Sequence, residues 1–302
     1  MDEALESLKR GSSPESGADS LSPVTLAVSI LVLPFLVVAS VLLYLAPGHT
    51  EQHFAWTIAP PVTALYLGSA YIGGIWFFAG VLRTRSWVAV RRGFPAVLTF
   101  ATLLGIATLL HWEKFHAGHL SFVAWATLYL TTPVLLALVL VLQSRRAHSR
   151  PTDVVAEETV IPRGWCRALA ALGAASLTVG SVLFLVPAIG VDTWAWQLTP
   201  LTARVIGATL TLPGAVNLWL LVDPRWSAFR VIFQAQLVSL SFILLGIILS
   251  WAQLDFSRIA AWALVPGLAA TLALYAVFYR RCEKDARRKL PGTDPAVNPR
   301  AA

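Results

Sequence analysis

Charge is what this sequence lacks most. Asp, Glu, Lys and Arg make up 13% of its 302 residues, whereas hydrophobic residues make up 57%. Soluble domains carry about a quarter charged residues, so much of this chain is expected to face lipid rather than water. No Asp, Glu or Lys lies near the middle of any long apolar run. Proton- and sodium-coupled carriers and intramembrane proteases need ionisable groups at such depths, and their absence weighs against those classes.

Cysteines and catalytic motifs are scarce as well. The two cysteines, Cys166 and Cys282, are far apart in the sequence and fit no metal-binding spacing. Both are predicted at the cytoplasmic face, where disulfides rarely persist, so we expect two free thiols. The sequence has no glycine-rich phosphate loop and no Ser/His/Asp motif. These absences favour a protein that is not an enzyme.

Long apolar runs are what the sequence does have. The stretch 24-VTLAVSILVLPFLVVASVLLYLA-46 carries no charge, and about 20 apolar residues span the hydrocarbon core as a helix. Helix is the only option for an open chain in lipid, because lipid cannot satisfy backbone polar groups. The sequence therefore predicts an all-α integral membrane protein with eight transmembrane helices, at 24–46, 61–82, 94–112, 120–142, 167–187, 200–222, 231–251 and 257–279.

The basic residues predict the orientation of these helices. Lys and Arg concentrate in loops that stay in the cytoplasm. With the N-terminus inside, all but three of the 23 Lys and Arg residues lie on that side, the exceptions being Lys114, Arg204 and Arg258. We therefore expect both termini inside, in a plasma or bacterial inner membrane. The net charge of +7 then needs no nucleic acid, and anionic lipid headgroups are the expected partners at the cytoplasmic face.

The chain reads as two copies of one four-helix unit. The stretch 40-SVLLYLAP-47 aligns with 181-SVLFLVP-187, and 103-LLGIATLLHW-112 aligns with 244-LLGIILSW-251. Because each unit holds an even number of helices, the repeats are parallel, with a pseudo-two-fold axis along the membrane normal. The predicted units are a disordered cytoplasmic tail (1–23), the first repeat (24–146), a cytoplasmic linker (147–166), the second repeat (167–281) and a basic cytoplasmic tail (282–302).

Polar residues cluster in two predicted outer loops of the first repeat. They are His49, Glu51, His53, His111, Glu113, His116 and His119. Neutral imidazoles with a carboxylate suit zinc or copper, and a histidine at a helix end, such as His111, also suits an axial haem ligand. The spacing matches no established metal motif, however. A solvated loop between two buried segments is the plainer interpretation, and a pH-sensing role is a further alternative.

Arg204 and two prolines are the remaining candidates. Arg204 lies on the predicted outer side, where Asp192 and Asp255 could pair with it; otherwise it would bind an anionic headgroup or substrate. Pro133 and Pro266 lie inside the fourth and eighth helices at similar depths. Each removes a backbone hydrogen bond and should kink its helix. Broken helices at matching positions mark the transport site of some carriers, although a packing kink is the plainer interpretation.

One local pattern resembles a known group of proteins. The stretch 111-HWEKF-115, followed by 125-WATLYLTTP-133 and the pair Arg145-Arg146, is similar to uncharacterised bacterial polytopic membrane proteins with an HW-acidic-basic-F loop. The resemblance implies a multi-pass topology and no particular activity.

Three functional hypotheses follow from the sequence. The first is a non-enzymatic accessory or scaffolding protein, favoured by the lack of deep charges. The second is a small-molecule or lipid facilitator or permease built on the duplication. The third is a metal- or haem-binding membrane protein that uses the outer histidines.

Overall fold

The computed structural model describes residues 19–148 and 158–289, and these ranges are almost entirely helical. They hold eight long helices joined by short helical turns and loops. In chain order these are α1 (Pro23–Leu45), α2 (Pro61–Thr84), α3 (Gly93–Leu110), α4 (Leu120–His148), α5 (Arg163–Leu185), α6 (Pro200–Trp219), α7 (Arg230–Leu249) and α8 (Ile259–Arg288). We refer to α1–α4 as the first half and to α5–α8 as the second half. Most of the two predicted tails and part of the linker lie outside the described residues.

Several helices end at different residues from those that the apolar runs predict. α4 continues past 142 to His148, and α8 continues past 279 to Arg288. Both extensions are polar and rich in arginine, and a helix C-terminus favours cations because of its dipole. α5 begins at Arg163, directly after Pro162, rather than at 167. The predicted linker 147–166 therefore includes helical residues at both ends, since hydropathy marks the lipid-spanning part of a helix and not its ends.

Seven helices of the described residues are long and apolar enough to cross a membrane, which makes the chain a multi-pass membrane protein. α6 is not among them, although it is 20 residues long. Arg204, Pro213 and Asn217 lower its apolar character. Most of its residues are buried by other helices, so little of α6 is left to face lipid.

The two halves pack against each other through their second and third helices. α1 packs on α2, and α5 packs on α6. α2 also packs against α7, while α6 packs against α3, so the second helix of each half contacts the third helix of the other. α4 and α8 then lie against α3 and α7. The two halves therefore share one interior.

Glycines set how closely the central helices approach. A Cβ placed on Gly180 of α5 would lie 2.7 Å from the carbonyl oxygen of Gly207 in α6, and one on Gly207 would lie 2.6 Å from the carbonyl oxygen of Gly180. At the α2–α7 contact, a Cβ on Gly80 would lie 2.4 Å from Val231. Small residues allow this backbone contact in membrane interiors, where packing drives association.

The segment before each half also contacts the loop between the second and third helices of that half. The Trp87 backbone N–H donates to the Asp19 carbonyl at 2.9 Å, and the Trp226 N–H donates to the Thr159 carbonyl at 2.9 Å. Both bonds lie at the same face of the protein as the arginine-rich loops. We call this face the arginine-rich face and the opposite one the histidine face.

Several tryptophans near helix ends, where tryptophan commonly anchors a protein at the membrane interface, lie in the core. Trp56, Trp196 and Trp226 are each 2% exposed or less. They pack against other aromatic rings, such as Trp125, whose ring centroid is 4.5 Å from that of Trp56. Position at a helix end therefore does not separate an interfacial anchor from a tryptophan that closes the end of the core.

The Gly180–Gly207 contact gives a test of the packing. Gly180→Val should lower the stability of the protein by about 1–3 kcal/mol or more, because the neighbouring backbone cannot move aside. Gly164→Val is the matched control on the same helix, since nothing lies within 4 Å of a Cβ there. Thermal unfolding in mild detergent measures both, and equal melting temperatures for the two variants would contradict this packing.

Candidate functional site

The two histidine-bearing loops of the first half lie side by side. The backbone N–H of His116 donates to the Ala55 carbonyl at 2.9 Å, and the His116 Nδ1 lies 3.1 Å from the Phe54 carbonyl oxygen. Since a carbonyl can only accept, Nδ1 carries the proton. Nε2 then accepts from the Thr57 hydroxyl at 3.2 Å. Both ring nitrogens are occupied, so His116 joins the loops and has no lone pair left for a metal.

His111 serves as the partner of Arg204. Its Nε2 lies 2.6 Å from Nη1 of Arg204, and because a guanidinium can only donate, the imidazole accepts in its neutral form. Burial, Arg204 and Lys114 lower the pKa of His111, against the opposing effect of Glu113. The contact joins α6 of the second half to the end of α3 in the first.

The remaining members of the histidine cluster do not converge. His49, Glu51 and His53 are exposed, as are Glu113 and His119, and the His116 and His119 ring centroids are 5.0 Å apart. Within 19–148 and 158–289, no group of three or more His, Cys, Asp or Glu residues could hold a metal ion. The exposed side chains fit the solvated-loop interpretation, and the metal- or haem-binding hypothesis stays a prediction.

The predicted acidic partners of Arg204 lie elsewhere. Asp255 forms an ion pair with Arg258 at 2.9 Å, and hydrogen bonds from Ser257, together with Arg258, lower the pKa of this carboxyl. Asp192 is exposed. Arg204 thus contacts a histidine rather than either carboxylate, and its Nε atom is buried without a partner in the described part of the chain.

Asp223 is an important residue that the sequence reasoning missed. Its carboxylate is 4% exposed and receives hydrogen bonds from Arg91 at 2.7 Å, Arg92 at 2.6 Å and Arg225 at 2.7 Å. Arg92 also lies 4.8 Å above the ring of Trp219. Arg91 and Arg92 belong to the first half and Asp223 to the second. A lone carboxylate among arginine-rich loops was the available signal for this connection between the halves.

A cavity of about 900 Å³ lies between the halves, and all eight long helices contribute to its wall. Its lining is mostly Ala, Gly, Leu, Val and aromatic side chains, and among the described residues it includes no Asp, Glu, Lys, Arg or His. Ligand pockets in proteins are typically about 300–1,000 Å³ and mainly apolar, with a few placed polar groups. The cavity has the size and character of a binding site for an uncharged molecule.

Three residues of the cavity wall hold buried polar atoms without a hydrogen-bond partner in the described residues. They are Asn217 with its Oδ1, Gln236 with both amide atoms, and Trp194 with its Nε1. The Asn217 Nδ2 is satisfied, since it donates to the Tyr275 hydroxyl at 2.7 Å. Native proteins pair the great majority of buried polar groups, so these atoms distinguish the cavity from ordinary packing space.

Pro133 and Pro266 both lie inside helices that continue through them. Neither lines the cavity, whereas Pro213 of α6 does. The matched pair of prolines therefore does not mark the cavity wall.

No model of a known protein family, no curated protein and no solved structure matches this chain. Its function must therefore be inferred from its own residues and their geometry.

The His111–Arg204 contact predicts a dependence of stability on pH. A histidine whose pKa is lower in the folded than in the unfolded state binds fewer protons when folded. The contribution of His111 to stability is therefore complete above its ordinary pKa of 6.5 and is lost as the pH falls below that value. His111→Gln keeps an acceptor for Arg204 but does not titrate. Its melting temperature should fall less than that of the wild type between pH 7.5 and 5.5; identical pH profiles would contradict this account.

Removal of the Asp223 charge should lower the stability of the protein strongly. Asp223→Asn leaves three arginines around a neutral amide, and breaking a buried ion pair on one side costs about 3–5 kcal/mol. Glu51→Gln, at an exposed carboxylate of the histidine face, is the control and should change stability little. Chemical denaturation in detergent measures both variants. Similar midpoints would show that the Asp223 cluster does not hold the halves together.

Proposed function

We propose that this chain is a non-enzymatic membrane protein that binds an uncharged small molecule or lipid in its central cavity and facilitates its passage through the bilayer. The observation that carries this proposal is the cavity of about 900 Å³ between the halves, with no charged residue in its lining. A cavity at this position is what the facilitator hypothesis requires.

The lining favours uncharged ligands. An ion in an apolar wall loses its hydration without a compensating partner, which costs far more than the loss for a hydroxyl or amide. The long helices also carry no Asp, Glu or Lys near their middles. Without such a group there is nothing to couple movement to a proton or sodium gradient, so passage would follow the concentration gradient of the ligand.

The proposal includes eight membrane spans in two parallel repeats with both termini in the cytoplasm. Three observations support it. The α1–α2, α2–α7 and α3–α4 contacts correspond to α5–α6, α6–α3 and α7–α8, as a pseudo-two-fold axis requires. The turns at Trp87 and Trp226 make the same backbone hydrogen bond. The arginine-rich loops share one face, where anionic headgroups of a plasma or inner membrane are the proposed counter-surface.

No contact among the described residues specifically supports either of the other two hypotheses. An accessory or scaffolding protein needs no cavity, and a metal-ion site needs a group of ligands that the histidine loops do not provide among the described residues. The facilitator is therefore the function that the geometry supports best.

Reconstituted liposomes test the proposal. A fluorescent NBD-labelled glucosyl diacylglycerol, which is uncharged, is placed in both leaflets, and membrane-impermeant dithionite quenches the outer one. Liposomes that contain the protein should lose the inner signal as well, much faster than protein-free liposomes. NBD-labelled phosphatidylglycerol, which is anionic, should be moved far more slowly.

A pair of variants links this activity to the cavity. Ala263→Trp places a large ring on the cavity-lining face of α8 and should slow the loss of signal. Ala269→Trp changes the same helix at a position outside the lining and should leave the rate unchanged. Equal rates for the two variants, or no movement of the uncharged lipid by the wild type, would overturn the proposal.

A further inference from the structure

Building on the proposed function, we infer that the cavity takes an uncharged amphiphile whose headgroup hydrogen-bonds to Asn217 and Gln236. The amphiphile reaches the cavity sideways from the bilayer, between α5 and α8. The unpaired polar atoms support the headgroup site, and the uneven burial of the cavity wall supports the sideways path.

Asn217 and Gln236 together offer a headgroup site. Asn217 is fully buried, and its Oδ1 has no partner within the described residues. The amide of Gln236, another residue of the cavity wall, holds a second unpaired acceptor and an unpaired donor. Like the Asn217 Oδ1 these atoms are covered by neighbouring atoms, so a headgroup reaches them when the side chains turn toward the cavity. An unpaired buried amide is costly, and a hydroxyl-bearing ligand can both donate to the oxygens and accept from the nitrogen. The free groups therefore match an uncharged headgroup with hydroxyls.

Both amides lie near one end of the cavity. Asn217 is two residues before the end of α6 at Trp219, and Gln236 is six residues after the start of α7 at Arg230. With a rise of about 1.5 Å per residue, Gln236 lies only about 9 Å inside its helix. Both positions are close to the arginine-rich face. The rest of the wall is mostly apolar, and its polar atoms include the Trp194 indole N–H and the hydroxyls of Tyr66 and Thr132. A polar headgroup at one end and an apolar body along the remainder describe an amphiphile.

The nearby arginines do not turn this into an anion site. Arg91, Arg92 and Arg225 donate to Asp223, and none of the three lines the cavity. A phosphate headgroup beside Asn217 and Gln236 would therefore face no compensating cation on the wall.

The wall is open on one side. Lining residues of α5 and α8, such as Val179, Ala263 and Gly267, are exposed. The lining residues Leu36 of α1 and Tyr129 of α4 are buried, because α1 packs against α4. The corresponding pair, α5 and α8, meets at the arginine-rich end, where the Trp165 and Phe278 ring centroids are 5.5 Å apart, and packs little elsewhere along its length. An opening between two membrane-spanning helices faces lipid, which gives an amphiphile a direct path.

The main test is binding of tritiated glucosyl diacylglycerol to the full-length protein in detergent micelles. Gln236→Leu should weaken binding roughly tenfold, the size expected when one or two hydrogen bonds are lost. Without the lipid, its melting temperature should equal or exceed that of the wild type, since leucine removes two unpaired polar atoms. A merely structural glutamine would not give weaker binding with unchanged or higher stability.

Gln52→Leu is the matched control. It makes the same change at an exposed residue of the histidine face that does not line the cavity. The variant should bind the lipid as the wild type does. Phosphatidylglycerol should compete poorly. Octyl glucoside, which carries the same headgroup on a short chain, should compete more weakly than the unlabelled glycolipid, because its apolar body is smaller. Competition by free glucose at equal strength would assign the site to a soluble sugar instead and would overturn the lipid part of the inference.

The sideways path has its own variant. Gly267→Trp places a ring at the α8 edge of the opening, where nothing lies within 4 Å of a Cβ, so the fold should tolerate it. It should slow lipid association severalfold, and an unchanged association rate would overturn lateral entry.

The outcomes separate this inference from the proposed function. If Gln236→Leu binds the glycolipid as tightly as the wild type does, the headgroup site is wrong, whereas uncharged lipid can still move through the cavity. If the wild type neither binds nor moves any uncharged lipid, both fall.

Discussion

The packing of the second helix of each half against the third helix of the other half is the interaction on which the rest of the structure depends. Because α2 packs against α7 and α6 against α3, neither half forms a closed bundle of its own. The two halves therefore enclose a common space at the centre of the molecule. The contact of α5 with α6 is close enough to require glycine on both sides, and it places α6 deep in the interior. The position of the cavity follows from this arrangement.

Several polar groups of the described residues have a structural task. Asp223 holds arginines of both halves at one face, while His111 accepts from Arg204 at the other. His116 joins two loops with both of its ring nitrogens. Against this background the free amide atoms of Asn217 and Gln236 are unusual, because they line a cavity and make no internal bond among the described residues. They are the groups that a ligand would complete.

The sequence predicts the helices well and the site poorly. Apolar runs locate all eight helices within a few residues at most ends. They run past the C-terminal ends of α5 and α6 and stop short of those of α4 and α8, because helix ends depend on hydrogen bonding rather than hydropathy. The histidine cluster is conspicuous by its composition, yet His116 joins two loops and His111 contacts Arg204, while the other members are exposed. Asn217 and Gln236 carry no motif, and their significance arises only when packing leaves them unpaired. That property is tertiary, so no local pattern could reveal it.

The most direct test of this account is a high-resolution structure of the protein in nanodiscs made of lipids that include an uncharged glycolipid. The account predicts elongated density in the central cavity, with its polar end at Asn217 and Gln236 and its apolar part leaving between α5 and α8. A cavity that is closed by repacked side chains, or one that contains only water around the two amides, would contradict it.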